Sequence, residues 1–368
     1  MTEPLDSPVP SDSAIRGILR ERIDQQRQSV GLVVGVLEPS GRRILAYGRL
    51  GKDDRRTPKE NSVFEIGSAT KVFTSLVLAD MVDHGEISLS DPAEKYLPPG
   101  IKMPRRGGRQ ITLEELATHG SGLPRLPSNL SPKNQANPYA DYSIDQLYQF
   151  LSSCRLTRDI GSQYLYSNLG GGLLGHLLAR RAGVSYEQLV RTRIADPLGL
   201  NSTRITLSEE MKAQLAEGYD RALHPTPMWD LPTLAGAGAL RSTARDLLTF
   251  LAAVLGYVPS PLAAAMVATL AVRYPTGIPG LEIALAWHIS TRDGKEVIWH
   301  NGGTGGFRSF LGYEPNERIA VVVLSNAGTA AGVDDIGQHL LNPNVALSRP
   351  TRRLWPKFRG FAFPWLSP

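Results

Sequence analysis

Phe64-Glu65-Ile66-Gly67-Ser68-Ala69-Thr70-Lys71-Val72-Phe73 opens a segment that stays apolar on nearly every side through Leu76, Val77, Leu78, Ala79, Met81 and Val82. A helix over residues 68–83 with no polar stripe belongs inside a protein rather than on its surface. Gly85 ends it. Ser68 and Lys71 stand three apart at its start, so they share one face. First-turn amides have no intrahelical acceptor and favour negative charge. The Ser68 amide is therefore a candidate donor to a developing oxyanion. A lysine one turn into a buried helix loses hydration, which lowers its pKa and frees a neutral amine to accept the serine proton. The competing reading is an N-capping serine followed by a surface lysine.

Strand-like segments lie on both sides of this helix in the chain. Upstream, residues 13–30 carry helical spacing through Ile15, Ile18, Leu19 and Ile23. The β-branched run 30–37 follows, turns at Pro39-Ser40-Gly41 and returns over 43–48. Downstream, 285–289, 295–300, 307–313 and 319–324 read as strands, and 334–341 as a closing helix. Between them, helices are expected at 112–118, 143–153, 167–182, 185–195, 208–216, 243–255 and 260–270, with 124–142 a long polar surface loop. The expected fold is α/β of the α+β type: an antiparallel sheet flanked by helices, plus an inserted, mostly helical domain. The expected divisions are a flexible lead 1–12, a discontinuous sheet domain 13–85 and 286–345, a helical domain 86–285 and a tail 346–368.

Composition narrows the function. The 368 residues include 40 Lys and Arg against 35 Asp and Glu, a diffuse charge of +5 with no basic stripe, which argues against nucleic acid. No run of about 18 apolar residues is present, so no transmembrane segment is expected. Cys154 is the single cysteine, and the histidines show no ligand spacing, so neither a disulfide nor a metal site is expected. The start, Met1-Thr2-Glu3-Pro4-Leu5-Asp6, lacks the basic and apolar regions of a secretory leader. That places the chain in the cytoplasm if it is complete, or in the periplasm or outside if a leader was removed. In 349–368, Arg352, Arg353, Trp355, Lys357, Phe358, Arg359, Phe361, Phe363 and Trp365 interleave. This tail reads as an extended strap over the body, with membrane-surface or partner attachment as the alternative.

Two further motifs carry chemistry. In Tyr164-Leu165-Tyr166-Ser167-Asn168, Tyr166 and Asn168 are two apart and face one way in an extended turn. A tyrosine relays a proton if a neighbouring cation lowers its pKa, and an asparagine both donates to and accepts from a substrate amide. The alternative is a helix-start loop capped by Ser167 or Asn168. His300-Asn301-Gly302-Gly303-Thr304-Gly305-Gly306-Phe307 follows a strand. Its glycines permit close approach of a ligand, and Gly303 is a candidate second oxyanion donor. A phosphate-cradling loop is excluded, because the P-loop pattern is absent. His119 beside Gly120-Ser121-Gly122 reads as a turn residue, since the G-x-S-x-G elbow is missing. Gly170-Gly171-Gly172 permits close packing at a helix start, and Trp229 and Trp287 read as core anchors, with the lining of a substrate cleft as the alternative.

Ser68-Ala69-Thr70-Lys71, Tyr166-Ser167-Asn168 and His300-Asn301-Gly302, in this order, resemble the penicillin-recognising serine hydrolases. The resemblance is to the branch of class C β-lactamases, D,D-carboxypeptidases, D-aminopeptidases and β-lactamase-like esterases. It extends over roughly residues 15–345 through connectors such as Leu116-Ala117-Thr118-His119-Gly120-Ser121-Gly122-Leu123-Pro124. It implies a β-lactamase/transpeptidase-like fold and no cofactor. It implies Ser68 as nucleophile, Lys71 and Tyr166 as its proton handlers, the Ser68 and Gly303 amides as oxyanion donors and Asn168 as a ligand of the substrate amide. A β-lactam, a D-amino-acid peptide or a small ester is the implied substrate. A penicillin-binding sensor or non-turnover scaffold is the alternative. Where class C β-lactamases have Lys-Thr-Gly, this chain has His-Asn-Gly. That removes the usual lysine clamp on a β-lactam carboxylate and looks more like the D,D-peptidase, D-aminopeptidase and esterase branches. His300, only partly charged near its reference pKa of about 6.5, and Arg308 are the candidate replacements, with a solvent-facing strand position as the alternative for Arg308. If His300 clamps an anionic substrate, activity falls as pH rises past neutrality.

Overall fold

The computed structural model describes residues 8–348. The fold is α+β, a mixed arrangement of one large antiparallel sheet and helices. Helix α1 (Asp12–Arg20), capped by Ser11, leads into the hairpin β1 (Gly31–Glu38) and β2 (Gly41–Gly48). The helices α2 (Thr70–Asp83) and α3 (Asn168–Ala182) carry site residues, and α4 (Ala244–Val254) packs on the sheet. The chain then adds β3 (Tyr274–Pro275), β4 (Leu281–Ile283), β5 (His288–Arg292), β6 (Lys295–Gly303), β7 (Arg308–Glu314), β8 (Ile319–Ser325) and α5 (Asp334–Leu341). In space the strand order is β2-β1-β8-β7-β6-β5-β4-β3. β1, from the start of the chain, thus pairs with β8, from its end, in the register Val34 opposite Val323.

The apolar runs of β1 and β8 follow from burial on both faces. Alternate residues point to opposite sides. Val33, Val322 and Leu324 enter the larger core, where α2 and α4 pack. Val34, Val321 and Val323 enter a second core, closed by Ile15 and Leu19 of α1 and by Ile336 and Leu340 of α5. α2 is buried from Thr70 to Met81 without interruption, which matches its lack of a polar stripe.

Several expected boundaries shift. α1 begins at Asp12, and Val9 is already buried, so the lead expected over 1–12 packs against the body at its end. The helix expected to run through residue 30 stops as regular α-helix at Arg20 and continues as a π turn over Glu21–Gln25. This turn buries Arg22 against Asp335. The strand expected at 285–289 starts at His288, because Ala286 just before it takes a left-handed backbone (φ 62°). β3 and β4 extend the sheet from within the segment expected to be helical to 285, and α4 lies on that sheet too. The tail at 349–368 lies outside the described residues.

Candidate active site

A short strand, Val63–Glu65, pairs with Arg241–Thr243 and delivers the chain to a sharp bend. Gly67 there has φ +50°, and a Cβ on it would sit 2.6 Å from the Gly303 nitrogen. A Cβ on Gly302 would meet the Ile66 carbonyl oxygen at 1.8 Å. Only glycines let these two backbones abut. Ser309 Oγ ties them further by donating to the Ile66 carbonyl at 2.7 Å. One 3₁₀ turn (Gly67–Ala69) follows and carries Ser68 beside β6. Its amide lies where helical N–H groups have no intrahelical partner.

Lys71 is 2% exposed. Its Nζ donates to Ser68 Oγ at 3.1 Å, to Asn168 Oδ1 at 2.9 Å and to the Ala237 carbonyl at 2.7 Å. Burial, reinforced by the Arg125 guanidinium, holds its pKa well below the usual lysine value. The same Nζ lies 4.8 Å from the centre of the Tyr166 ring. Burial pushes the Tyr166 phenol above its ordinary pKa, against a hydrogen bond with Ser68 that pulls the other way. Tyr166 is therefore a neutral donor near pH 7, not the acidified phenol that an adjacent charged lysine would produce. Asn168 also donates from Nδ2 to the Tyr139 hydroxyl at 3.4 Å. Ser68, Tyr139, Asn168, Trp229, Gly303 and Thr304 line one cleft. A larger cavity, about 920 Å³, lies around Arg42, Arg204 and Arg245. It contains no serine–lysine pair, so size does not mark the chemistry.

Gly171 on α3 makes room for the lysine stem. A Cβ there would lie 2.8 Å from Lys71 Cε and 3.2 Å from Cδ. Three hydrogen-bond partners, Ser68, Asn168 and Ala237, pin the Nζ end, so the stem has little freedom to move aside. Gly171→Ala is expected to lower kcat/KM about tenfold with a modest loss of stability, because a misplacement near 1 Å costs rate steeply. An unchanged kcat/KM in that variant would show that the lysine position is not critical.

The third motif divides between the two faces of the sheet. Asn301 points away from the cleft and donates to Asp334 on α5, whose carboxyl burial pushes up to about 6. His300 is on the cleft side but fully buried, with Nδ1 against the Asn301 carbonyl and its ring 6.3 Å from Tyr166 and 5.1 Å from His288. Burial, with His288 and Lys71 adding to it, drives its pKa well below the usual histidine value. Burial of His300 therefore disfavours the cationic clamp expected there, because it penalises the charged form of the ring. Arg308 does not replace it. Its guanidinium is spent on the Thr304, Phe307 and Gly328 carbonyls. Activity that falls through neutral pH because of His300 is correspondingly not expected.

His119, read as a turn residue, does more. It is buried at φ 61°, accepts from the Ser167 amide at 3.2 Å through Nδ1, and stacks on Tyr166 with ring centres 4.5 Å apart. Its carbonyl also holds the Leu165 amide. Of the two tryptophans, Trp229 takes the cleft alternative, half-buried with its ring tilted against Tyr139 at 5.3 Å between centres, whereas Trp287 is a core residue against Tyr313. Tyr139 arrives from the loop expected at 124–142, where nothing in the polar stretch sets it apart from Tyr142. Among the described residues no helix is long and apolar enough to cross a membrane, and no group of metal-binding side chains gathers.

His119, His288 and His300 are all buried with lowered pKa values, His288 to about 3. A histidine depressed in the folded state binds fewer protons folded than unfolded below its free value of about 6.5. Stability from keeping it neutral is present above that pH and lost as pH falls towards the folded value, by roughly 1.4 kcal/mol per unit. His288→Gln is expected to lose less in Tm than the native chain between pH 7 and pH 5. Parallel Tm curves would contradict the buried, neutral state of His288.

The beta-lactamase family model matches residues 15–341, and the chain belongs to that family, within the penicillin-recognising serine hydrolases. A D-alanyl-D-alanine-carboxypeptidase/endopeptidase, AmpH, of Escherichia coli is 30% identical over 80% of this chain and 79% of its own length. A beta-lactamase of Pseudomonas fluorescens is 28% identical over 83% of this chain and 91% of its own. Among solved structures, a class C beta-lactamase from Rhodobacter sphaeroides superposes with a TM-score of 0.77 at 26% identity, covering 91% of this chain and 99% of that one.

Proposed function

We propose that the protein is a serine hydrolase that cleaves an amide or ester through an acyl-enzyme on Ser68. The observation that carries this reading is Lys71 Nζ, 3.1 Å from Ser68 Oγ and kept from its usual protonation by burial. Ser68 Oγ attacks the substrate carbonyl carbon while the Lys71 amine takes the serine proton. The negative oxygen that forms is held by the Ser68 and Gly303 amides. As the tetrahedral species collapses, the bond to the leaving group breaks. The leaving atom takes the Tyr166 phenolic proton, which Lys71 restores. Water then enters, gives a proton back through the same pair, and releases the acid from Ser68. Asn168, fixed by Lys71 and Tyr139, binds the acyl-side amide of the substrate. The relatives named above act, by their names, on β-lactams and on D-alanyl-D-alanine ends, which supports the same ligand classes here.

The test is one panel compared by kcat/KM: nitrocefin, p-nitrophenyl esters of several chain lengths and an acyl-D-Ala-D-Ala peptide. Steady turnover of at least one member with a Ser68-linked intermediate is expected. A stoichiometric burst with no turnover on any of them would instead identify a penicillin-binding sensor.

A further inference from the structure

Arg125 ends the turn that begins at His119, and its backbone is locked onto the Tyr166 segment. The Leu169 amide donates to the Arg125 carbonyl at 3.1 Å, and Ser167 Oγ donates to the Pro124 carbonyl at 2.6 Å. From this anchor the guanidinium reaches the Tyr166 ring, with Cζ 5.4 Å from its centre. Among the described residues, Lys71 Nζ and the Arg125 guanidinium thus both lie against this ring.

What distinguishes Arg125 is what it lacks. It is half-buried, yet among the described residues its guanidinium makes no hydrogen bond and no ion pair. Two other arginines near the cleft have their terminal nitrogens engaged: Arg308 by three carbonyls, and Arg241 by the Trp229 and Ala239 carbonyls and by Glu65. The groups that feel the Arg125 charge are Lys71, His119, Tyr139, Tyr164 and Tyr166, none of which is a carboxylate. The nearby Glu115 is held by Arg109 and by its own helix cap. A guanidinium presents five donors in a planar fork that fits a carboxylate through two parallel hydrogen bonds. A guanidinium that lies against an aromatic ring and pairs with no carboxylate keeps its donor fork free to bind one.

We propose that Arg125 is the specificity-determining residue for a carboxylate carried on the leaving group of an amide substrate. This rests on the hydrolase reading above. Tyr166 gives its proton to the departing atom, so the leaving group sits at Tyr166, and a carboxylate one or two bonds further on comes within reach of a guanidinium packed against that ring. The cation that the His-Asn-Gly motif withholds from β6 is supplied instead from the loop that packs on the Tyr166 segment.

The experiment compares the full chain with Arg125→Gln and Arg125→Lys on two matched peptides, acyl-D-Ala-D-Ala and the same peptide with a C-terminal carboxamide. The native chain is expected to prefer the free acid by on the order of 10- to 100-fold in kcat/KM, the range of a charge-assisted hydrogen-bonded pair. Arg125→Gln is expected to bring this ratio close to one, and Arg125→Lys to retain part of it. A ratio unchanged in Arg125→Gln, or a native ratio near one, overturns the proposal. So does an equal loss on both peptides, which would make Arg125 a support for Tyr166 only. A native chain that turns over neither peptide, yet labels at Ser68 with a fluorophosphonate, also overturns it while leaving the hydrolase reading intact. Loss of labelling altogether removes that reading first.

Discussion

Ser68→Ala is expected to abolish covalent labelling by a fluorophosphonate or a fluorescent penicillin and to lower kcat/KM by on the order of 10⁴-fold or more. The size follows from what the hydroxyl does. Without it no acyl-enzyme forms, and the amides of Ser68 and Gly303 are left to bind a substrate that only water can attack. The residual rate is what an oxyanion site and binding supply alone. Because Ser68 stands in a 3₁₀ turn and is only partly exposed, the alanine is sterically harmless, and Tm is expected to change little. Labelling that persists at full strength in Ser68→Ala would end the assignment of the nucleophile, whatever the kinetics.

Removing the amine is the second large effect. Lys71→Met fills the same apolar channel beside Gly171 with no group able to take a proton. Acylation is expected to fall by roughly 10²–10⁴-fold, the contribution of a positioned general base. The stability of this variant has a sign of its own. A lysine whose folded pKa is depressed binds fewer protons folded than unfolded, so the native chain gains stability as pH rises between that depressed value and about 10.5. Lys71→Met lacks this gain. Its Tm relative to the native chain is expected to drop between pH 8 and pH 10, each unit being worth roughly 1.4 kcal/mol. A difference that does not move with pH would mean that Lys71 stays charged when folded, and the proton chemistry would then have to be reassigned.

Much of this was legible in the residues. The all-round apolar helix after Ser68 predicted a buried lysine, and burial is the property that changes its proton affinity. The β-branched runs at the two ends of the chain predicted strands, and the sheet joins them. The third motif was harder because a strand alternates. His300 and Asn301 are neighbours in sequence but face opposite sides, and neither the side taken nor the depth of burial is written in the motif. β3 and β4, two and three residues long, are too short to show a period. Tyr139 and Arg125 come from loops whose placement depends on partners elsewhere: Trp229 beside the one, the Tyr166 segment beside the other.

The abutment of Gly67 on Gly303 also bears on when the enzyme matures. Ser309 and Ile66, joined by a hydrogen bond at this junction, stand 243 positions apart in the chain. Contacts of such long range form late, because the entropy of closing the intervening loop must be met first. A ribosome-bound chain still lacking its last strands has made Ser68 and Lys71 but not the ledge of backbone against which an acyl group is held. Appearance of a fluorophosphonate adduct during refolding would therefore serve as a clock for closure of the sheet, trailing the gain of helical signal.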